Sequence, residues 1–174
     1  KLKKNKEALS AFDFAIISEE KFVGAYIEKG KVLEKMGKLP EAIEHFEISL
    51  QFEDPSSFIF SKIGQCHQKL KNHRIAAKFY KKSIALDPSN IDAWNKIIDF
   101  YIEINRYKKA IYYLESFLKI DYDNIESWEK IGSLYLKINF YSLAKDALEK
   151  AIKLGSYNKE TWTNYIDSLL FLKR

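Results

Sequence analysis

Residues 128–151 read WEKIGSLYLKINFYSLAKDALEKA and contain two amphipathic helical patterns, separated by a short polar break at Asn139. On a helix of 3.6 residues per turn, the apolar and small residues of each half fall on one face. They are Trp128, Ile131, Gly132 and Tyr135 in the first half, and Ala144, Leu148 and Ala151 in the second. The stretch therefore predicts two helices joined by a tight turn.

The same pattern recurs at intervals of 34 residues, without insertion or deletion. The copy one period upstream carries Trp94, Ile97, Tyr101, Ala110 and Leu114. The copy two periods upstream carries Phe60, Ile63, Gly64, Ala76 and Tyr80, and the copy three periods upstream carries Tyr26, Gly30, Leu33, Ala42 and Phe46. A fixed period of this size indicates a stacked repeat protein, in which each helix pair buries its apolar face against its neighbours.

The period divides the chain into frames of a single array. Residues 1–22 hold the second helix of a partial repeat, 23–56, 57–90, 91–124 and 125–158 are four full repeats, and 159–174 form the first helix of another partial repeat. Gly37, Asn72, Asn105 and Asn139 suit a left-handed residue at the turn inside each frame. Asp and Ser residues between frames can cap the following helix. Because the chain opens within a repeat, we expect it to be an excerpt of a longer protein.

Composition places the chain among folded proteins. In 174 residues the hydrophobic fraction is 47% and the net charge is +5, which excludes the disordered class and does not by itself require nucleic acid or an anionic membrane. No apolar run approaches the roughly 20 residues that span a bilayer. The lone Cys66 excludes an internal disulfide framework, and its column mates Val32, Phe100 and Leu134 predict a buried residue.

The repeated pattern resembles the tetratricopeptide repeat family. The resemblance rests on the aromatic, Gly and Tyr spacing of the first helix, the Ala42, Ala76, Ala110 and Ala144 column, and the late Pro55 and Pro88. It covers essentially the whole chain, whereas pentatricopeptide repeats run about one residue longer and half-a-tetratricopeptide repeats fit the glycine column less well. The resemblance implies an all-α, right-handed α-solenoid (superhelix) of antiparallel helix pairs.

The third frame departs from the pattern at two positions where helices approach closely. Ile98 stands where Gly30, Gly64 and Gly132 stand, and Phe117 occupies the column of Ala15 and Ala151. Because packed interiors have little slack, we predict a wider spacing between the two helices of 91–124 than between those of 125–158. Small neighbours such as Ala93 could instead compensate.

In the tetratricopeptide family the first helices line a concave groove that binds extended peptides or partner helices. By that resemblance, the side of each first helix opposite its core face supplies the candidate binding residues, and the partner is a protein or peptide. They are Lys31, Phe58, Lys62, Gln65, Asp92, Asn95, Lys96, Asp99, Glu126, Glu129, Lys130 and Ser133.

Lys62, Lys96 and Lys130 recur at the repeat period and form a ladder of positive charge that could contact carboxylates of a bound peptide. The alternative is that these are solvated lysines paired with nearby acids of the same face. The lysine, asparagine and arginine pattern with which one branch of the family clamps chaperone C-terminal tails is absent. Ile27 or Ser61 stands where its first lysine is needed, so chaperone tails are disfavoured as partners.

A basic segment offers a second functional hypothesis. Pro55 to Leu86 contains no Asp or Glu, while residues 62–82 carry Lys62, Lys69, Lys71, Arg74, Lys78, Lys81 and Lys82. Such a patch could bind nucleic acid or an acidic partner. Tyr80, the aromatic nearest to it, aligns with Phe46 and Leu114 and is therefore predicted to be core.

The sequence offers no constellation for catalysis, so we expect a binding protein that is not an enzyme and has no cofactor or metal. His45, His67 and His73 lack a metal-ligand spacing, and His67 lies in a core column. Apolar residues at the ends, in the helix of Phe12 and at 169–172, make end-to-end self-association a further expectation. No sequence feature assigns a compartment, and we favour the cytoplasm only as a default.

Overall fold

The computed structural model describes residues 2–52 and 54–173, and within them the secondary structure is α-helical, with ten helices and no strand. The helices are α1 (Leu2–Ser18), α2 (Val23–Lys35), α3 (Leu39–Phe52), α4 (Ser57–Lys69), α5 (His73–Leu86), α6 (Ile91–Glu103), α7 (Tyr107–Phe117), α8 (Ile125–Lys137), α9 (Tyr141–Lys153) and α10 (Lys159–Leu172). Over these same residues no helix combines the length and apolar character needed to cross a membrane.

Consecutive helices pack in pairs, and each of the four full frames predicted from the sequence contains two helices. The pairs α2–α3, α4–α5 and α8–α9 are in direct contact. Second helices also pack on the first helix that follows them, as α1 does on α2, α3 on α4, α7 on α8 and α9 on α10. The all-α fold of antiparallel helix pairs expected from the sequence is therefore confirmed.

Two compact units make up the chain, Lys1–Lys96 and Ile97–Arg174, with the boundary inside α6. In the first unit the core includes Leu33, Phe46, Ile59, Ile63 and Cys66, all buried. Burial of Cys66 confirms its predicted place, and the same burial raises the pKa of its thiol to about 11. The second unit has its own core, with Phe100, Leu114, Ile131, Leu148 and Ala151 buried.

The glycine column permits close approach of paired helices. A Cβ atom on Gly30 would lie 2.7 Å from the Phe46 ring, and one on Gly132 would lie 2.4 Å from Cγ of Leu148. Gly64 faces Tyr80 in the same way, at 2.9 Å. Real Cβ atoms are not found this close to a neighbour, so these helix pairs are packed around the missing side chain.

The turn inside each frame contains one left-handed residue, always at the same column. Gly37, Asn105 and Asn139 have φ of 78°, 56° and 62°, as predicted. In the second frame the left-handed residue is Lys71, with φ 61°, and the prediction of Asn72 was wrong. The error arose because Asn tolerates this conformation better than Lys does, whereas the repeat period places the conformation one residue earlier.

Asparagine, and not aspartate, caps three of the first helices, α6, α8 and α10. The side-chain oxygens of Asn90, Asn124 and Asn158 accept hydrogen bonds from backbone N–H groups of Ala93, Ser127 and Glu160, at 3.0 to 3.1 Å. The expectation that Asp and Ser supply these caps was wrong, because Asp121 instead accepts a bond from the amide of Asn124, and Ser56 before α4 makes no side-chain cap bond. Aspartate thus orients the cap residue from the preceding turn.

Candidate functional site

The twelve candidate residues lie on the first helices α2, α4, α6 and α8, and all of them are exposed or half-buried. We refer to the side of the first helices on which they lie as the first-helix face.

A pocket of about 280 Å³ opens on the first-helix face of the second unit. It brings together four candidate residues of α8, with α6 contributing Ile102 and α10 contributing Thr161. The four are Glu126, Glu129, Lys130 and Ser133. These residues were predicted from their position opposite the core columns and from the family resemblance, and they line one pocket.

Two of these four pocket residues are held by α10 and the turn before it. The Glu129 carboxylate accepts hydrogen bonds from the hydroxyls of Ser156 and Thr161, the latter at 2.6 Å. Ser133 Oγ accepts a bond of 3.0 Å from the amide of Asn164. Because buried hydroxyls fix the carboxylate, Glu129 orders the pocket wall and leaves Glu126 and Lys130 as its more adaptable groups.

Each lysine of the predicted ladder has a carboxylate partner. Lys96 lies 3.6 Å from Asp92 of its own helix, and Lys130 lies 2.8 Å from Glu126, with Asp99 at 3.9 Å. Lys62 is 3.1 Å from Glu34 of the preceding first helix. The lysines are therefore neutralised within the face, and a bound carboxylate would have to share or replace an existing partner.

Glu34 is a residue that sequence reasoning missed, and it pairs with candidate Lys62 of the first-helix face. Its side chain is only 9% exposed, and both Lys62 and Lys69 of α4 donate to it. Burial alone would raise the pKa of the Glu34 carboxyl, but the two lysines outweigh burial and lower the pKa below its ordinary value. The repeat pattern did not point to Glu34, because the residues at the equivalent position of the other repeats are not acidic. They are Gln68, Ile102 and Leu136.

Phe58 lies exposed on the first-helix face of the first unit, between two lysines. The Nζ atoms of Lys31 and Lys62 lie 5.0 and 5.9 Å from the centre of its ring. Lys31 also donates to Glu28 at 2.6 Å. The structure thus brings three predicted residues, from two successive first helices, into one aromatic and basic cluster.

Ser61 of α4, which stands where a chaperone-tail clamp would need its first lysine, lies in a buried hydroxyl cluster. It is hydrogen-bonded to Ser83 at 2.8 Å, and Ser83 also contacts Ser57 and donates to its carbonyl. Asn90 donates to Ser57 at 3.0 Å. Ser83 occupies the column of Ala15, Ser49, Phe117 and Ala151, and its hydroxyl joins Ser57 and Ser61 of α4 in this cluster.

The basic segment 62–82 divides into two environments. Lys62 and Lys69 are paired with Glu34, and Lys82 lies over the rings of Phe60 and Phe79 at 5.2 and 5.3 Å. Arg74, Lys78 and Lys81 are exposed on α5. Tyr80 is fully buried, as predicted, and is unavailable to stack on a base.

The histidines pack as core-edge residues. His67 is half-buried and stacks on Phe79, with the ring centres 5.8 Å apart. Burial lowers the pKa values of His67 and His45, and for His45 the charge of Lys29 lowers it further. Within residues 2–52 and 54–173, no group of three or more His, Cys, Asp or Glu side chains is arranged to hold a metal ion.

Comparison with protein families agrees with the repeat pattern seen in the sequence. The family model described as tetratricopeptide repeat matches residues 59–90 and 125–154, within the second and fourth predicted frames. No curated protein sequence gives a significant match.

Several solved structures share the fold. The crystal structure of MamA is 20% identical over 84% of this chain and 85% of that chain, with a TM-score of 0.70. YrrB, described as a TPR protein with an unusual peptide-binding site, is 18% identical over 93% and 84%, with a TM-score of 0.68. The C-terminal part of a TPR repeat-containing protein from Cytophaga hutchinsonii is 15% identical over 98% and 67%, with a TM-score of 0.81.

Proposed function

Because the chain carries tetratricopeptide repeats, we propose that it is a protein–protein interaction scaffold that binds a peptide or partner helix in the concave groove along its first helices. The observation that carries the proposal is the pocket of about 280 Å³ on the second unit, where Glu126, Glu129, Lys130 and Ser133 meet. Pockets with a few convergent polar groups on an apolar floor are the usual places for ligand recognition.

The similarity to YrrB adds support, since that protein is described as having a peptide-binding site. The role is one of binding and not of catalysis, as the family resemblance implies. The mode would be capture of an extended segment or of a helix whose side chains occupy pockets spaced along the first helices.

The test uses an array of immobilised random peptides, probed with the full chain and with the triple variant Lys62→Ala/Lys96→Ala/Lys130→Ala. We expect the wild-type chain to bind a subset of peptides and the triple variant to lose most of this binding. The variant removes the three positive charges of the ladder, leaves Asp92 and Glu126 without their lysine partners and takes one of two lysines from Glu34. Unchanged capture by the triple variant would count against the groove.

A charge-matched control is available on α5. The variant Arg74→Ala/Lys78→Ala/Lys81→Ala also removes three positive charges, from exposed positions away from the candidate residues. The groove proposal expects this control to keep the wild-type peptide pattern.

The same control variant examines the second candidate function, binding of nucleic acid or an acidic partner by the 62–82 region. It is favoured by the exposure of Arg74, Lys78 and Lys81 on one helix within a stretch that lacks Asp and Glu. This candidate predicts retention on heparin that falls steeply with salt and is lost in the α5 variant. Absence of retention by the wild-type chain would eliminate it.

A further inference from the structure

We propose that the pocket on the second unit binds a basic side chain, lysine or arginine, of the captured segment, and that the Glu129 carboxylate accepts its hydrogen bonds. This inference rests on the proposed function and specifies the chemistry of the partner at one pocket of the first-helix face. Three observations carry it: the groups that line the pocket, the hydrogen bonds that fix Glu129, and the charge of the surrounding helices.

This pocket of about 280 Å³ is lined by more carboxylates than ammonium groups. Three acids and two lysines line it, namely Glu126, Glu129, Glu160, Lys130 and Lys137. Ile102 and Leu134 also contribute to its walls. Lysine and arginine side chains pack an aliphatic stem against apolar surface and present a charged end to polar groups, so they match this lining.

Both lysines of the pocket already have partners. The Nζ atom of Lys130 lies 2.8 Å from Glu126 and 3.9 Å from Asp99 of α6. The Nζ atom of Lys137 lies over the Tyr107 ring, 5.4 Å from its centre. Glu129 and Glu160, in contrast, form no ion pair with any residue that the structure describes. Their negative charge is therefore available to a bound cation.

Glu129 is held in place by neutral groups. The hydroxyls of Ser156 and Thr161, which are only 6% and 2% exposed, both donate to its Oε1 atom. Its Oε2 atom accepts no hydrogen bond from the described part of the chain. A carboxylate that is fixed through one oxygen and open at the other is preorganised for a charged N–H donor.

Neighbouring charges do not cancel the negative charge of the pocket. In the second unit the first helices comprise residues 97–103 of α6, together with α8 and α10, and they carry six acids and three lysines. The acids are Asp99, Glu103, Glu126, Glu129, Glu160 and Asp167, and the lysines are Lys130, Lys137 and Lys159. The turns between the helices of this unit add two acids and two bases, and the second helices α7 and α9 carry the opposite excess, five lysines and three acids. A cation is therefore the complementary ligand for the first-helix face of this unit.

The acid at Glu129 occurs in the fourth frame alone. The residues at its position in the other first helices are Ile27, Ser61, Asn95 and Thr163. Recognition of a basic side chain is therefore assigned to this pocket and not to every repeat. Two of the three ladder lysines, Lys62 and Lys96, lie in the first unit, so the ladder test and the test of this pocket address different contacts.

The experiment is selection from a phage-displayed library of random peptides with the full chain, followed by affinity measurement on the selected peptides. We expect the selected peptides to be enriched in Lys or Arg at one position. Replacing that residue by Gln in the peptide should lower its affinity for the wild-type chain by about tenfold.

Glu129→Gln tests the acceptor, because it removes the charge and keeps an oxygen that can accept the bonds of Ser156 and Thr161. It should lower the affinity of the base-containing peptides by about tenfold and have little effect on peptides whose base has been replaced by Gln. Glu149→Gln is the charge-matched control, since it removes an acid of the same unit that pairs with Lys153 on α9. This control should bind every peptide as the wild-type chain does.

Thr161 is assigned a positioning role, which a pair of variants tests. Thr161→Val removes one of the two hydroxyls that hold Glu129, whereas Thr161→Ser keeps it. The valine variant should weaken the base-containing peptides by a smaller factor than Glu129→Gln does and should spare the peptides that carry Gln. The serine variant should bind as the wild-type chain does.

The place of binding is followed by NMR of methyl groups. Selected peptides should perturb the methyls of Ile102 and Leu134, which line the pocket, and not those of Ile27 and Ile59 in the first unit. Thermal unfolding of Glu129→Gln, compared with the wild-type chain, separates loss of binding from loss of fold. If Glu129→Gln does not fold, the Gln-substituted peptides and the methyl shifts, both measured on the wild-type chain, carry the test.

Two kinds of outcome would overturn the inference, and they differ in what they imply. In the first, peptides are selected, but they lack a preferred base, bind equally to the wild-type chain and to folded Glu129→Gln, or perturb only Ile27 and Ile59. The assignment of a basic side chain to this pocket is then wrong, and the scaffold function stands. In the second, no peptide is selected from the library, and both the inference and the peptide-binding function fail.

Discussion

A single missing methyl group sets the distance between paired helices at Gly132. Leu148 opposite it is fully buried, and its Cγ would be 2.4 Å from an added Cβ. Gly132→Ala must therefore shift a branched carbon in a closed core, at a cost of about 1–3 kcal/mol of unfolding free energy. That cost exceeds the roughly 0.5–1 kcal/mol that Ala gains over Gly in a helix. Urea unfolding measures the difference.

Gly24 gives the matched control for this substitution. An added Cβ there meets only the ring edge of Phe22, at 3.3 Å, and that ring is exposed and able to move. Gly24→Ala should be neutral or slightly stabilising. Equal destabilisation at Gly24 and Gly132 would show that helix packing is not the reason for the glycine column.

Lys71 adopts a strained backbone conformation in the second frame, which should lower the stability of the chain. It holds φ 61° in a column where the other frames use Gly or Asn. Because a left-handed conformation strains a residue with a Cβ atom, Lys71→Gly should raise the unfolding free energy by about 1 kcal/mol. Thermal unfolding provides the measurement, and Lys78→Gly inside α5, which should destabilise by a similar amount, is the control. A loss of stability in Lys71→Gly would refute this account.

At the scale of helices, Glu34 links α2 to α4 through Lys62 and Lys69. Its pKa is lowered in the folded chain, so its contribution is present above the unfolded value of about 4.3 and is lost as pH falls through the folded value. We expect Glu34→Gln to cost about 1 kcal/mol at pH 7 and progressively less as the pH falls below about 4.3. Unfolding measured from pH 3 to 7 tests this expectation.

The comparison for Glu34 is Glu41→Gln, which removes an exposed partner of Lys38 within one helix turn. Such pairs contribute little, so its effect should be small at every pH. If the two variants follow the same pH dependence, the link between α2 and α4 is not what stabilises this region.

The third helix pair is packed around isoleucine where the others have glycine. Ile98 and Leu114, which face each other by the repeat register, are both about 1% exposed. Restoring the common residue with Ile98→Gly should therefore open a cavity and cost about 3–5 kcal/mol, whereas Ile98→Val should cost about 1 kcal/mol. A neutral Ile98→Gly would mean that these helices close to the narrower spacing, against the predicted wider one.

At the scale of the whole chain, the repeat period explains why so much was predictable. Trp128, Gly132 and Ala144 define the buried columns, and the 34-residue period carries these columns to the other helices. The candidate faces are the sides of the first helices opposite these columns. What the period could not predict was frame-specific chemistry: the buried bonding of Ser61, the acid at Glu34 and the left-handed Lys71. These depend on which side chains meet across neighbouring repeats, and a column average does not contain that information.

Exposed apolar residues at the chain's end helices carry the last prediction. On α10, Trp162, Ile166 and Leu170 are spaced by four residues, and each is 45% to 55% exposed, while Ile17 of α1 is 80% exposed. A contiguous apolar helix face favours association, and contact between two different faces produces open-ended assemblies. Sedimentation velocity should show size increasing with protein concentration. Ile166→Lys/Leu170→Lys should abolish the increase, whereas Tyr112→Lys, at an exposed site on α7, should not. A monomer at all concentrations, or equal loss in both variants, would contradict association through the α10 face.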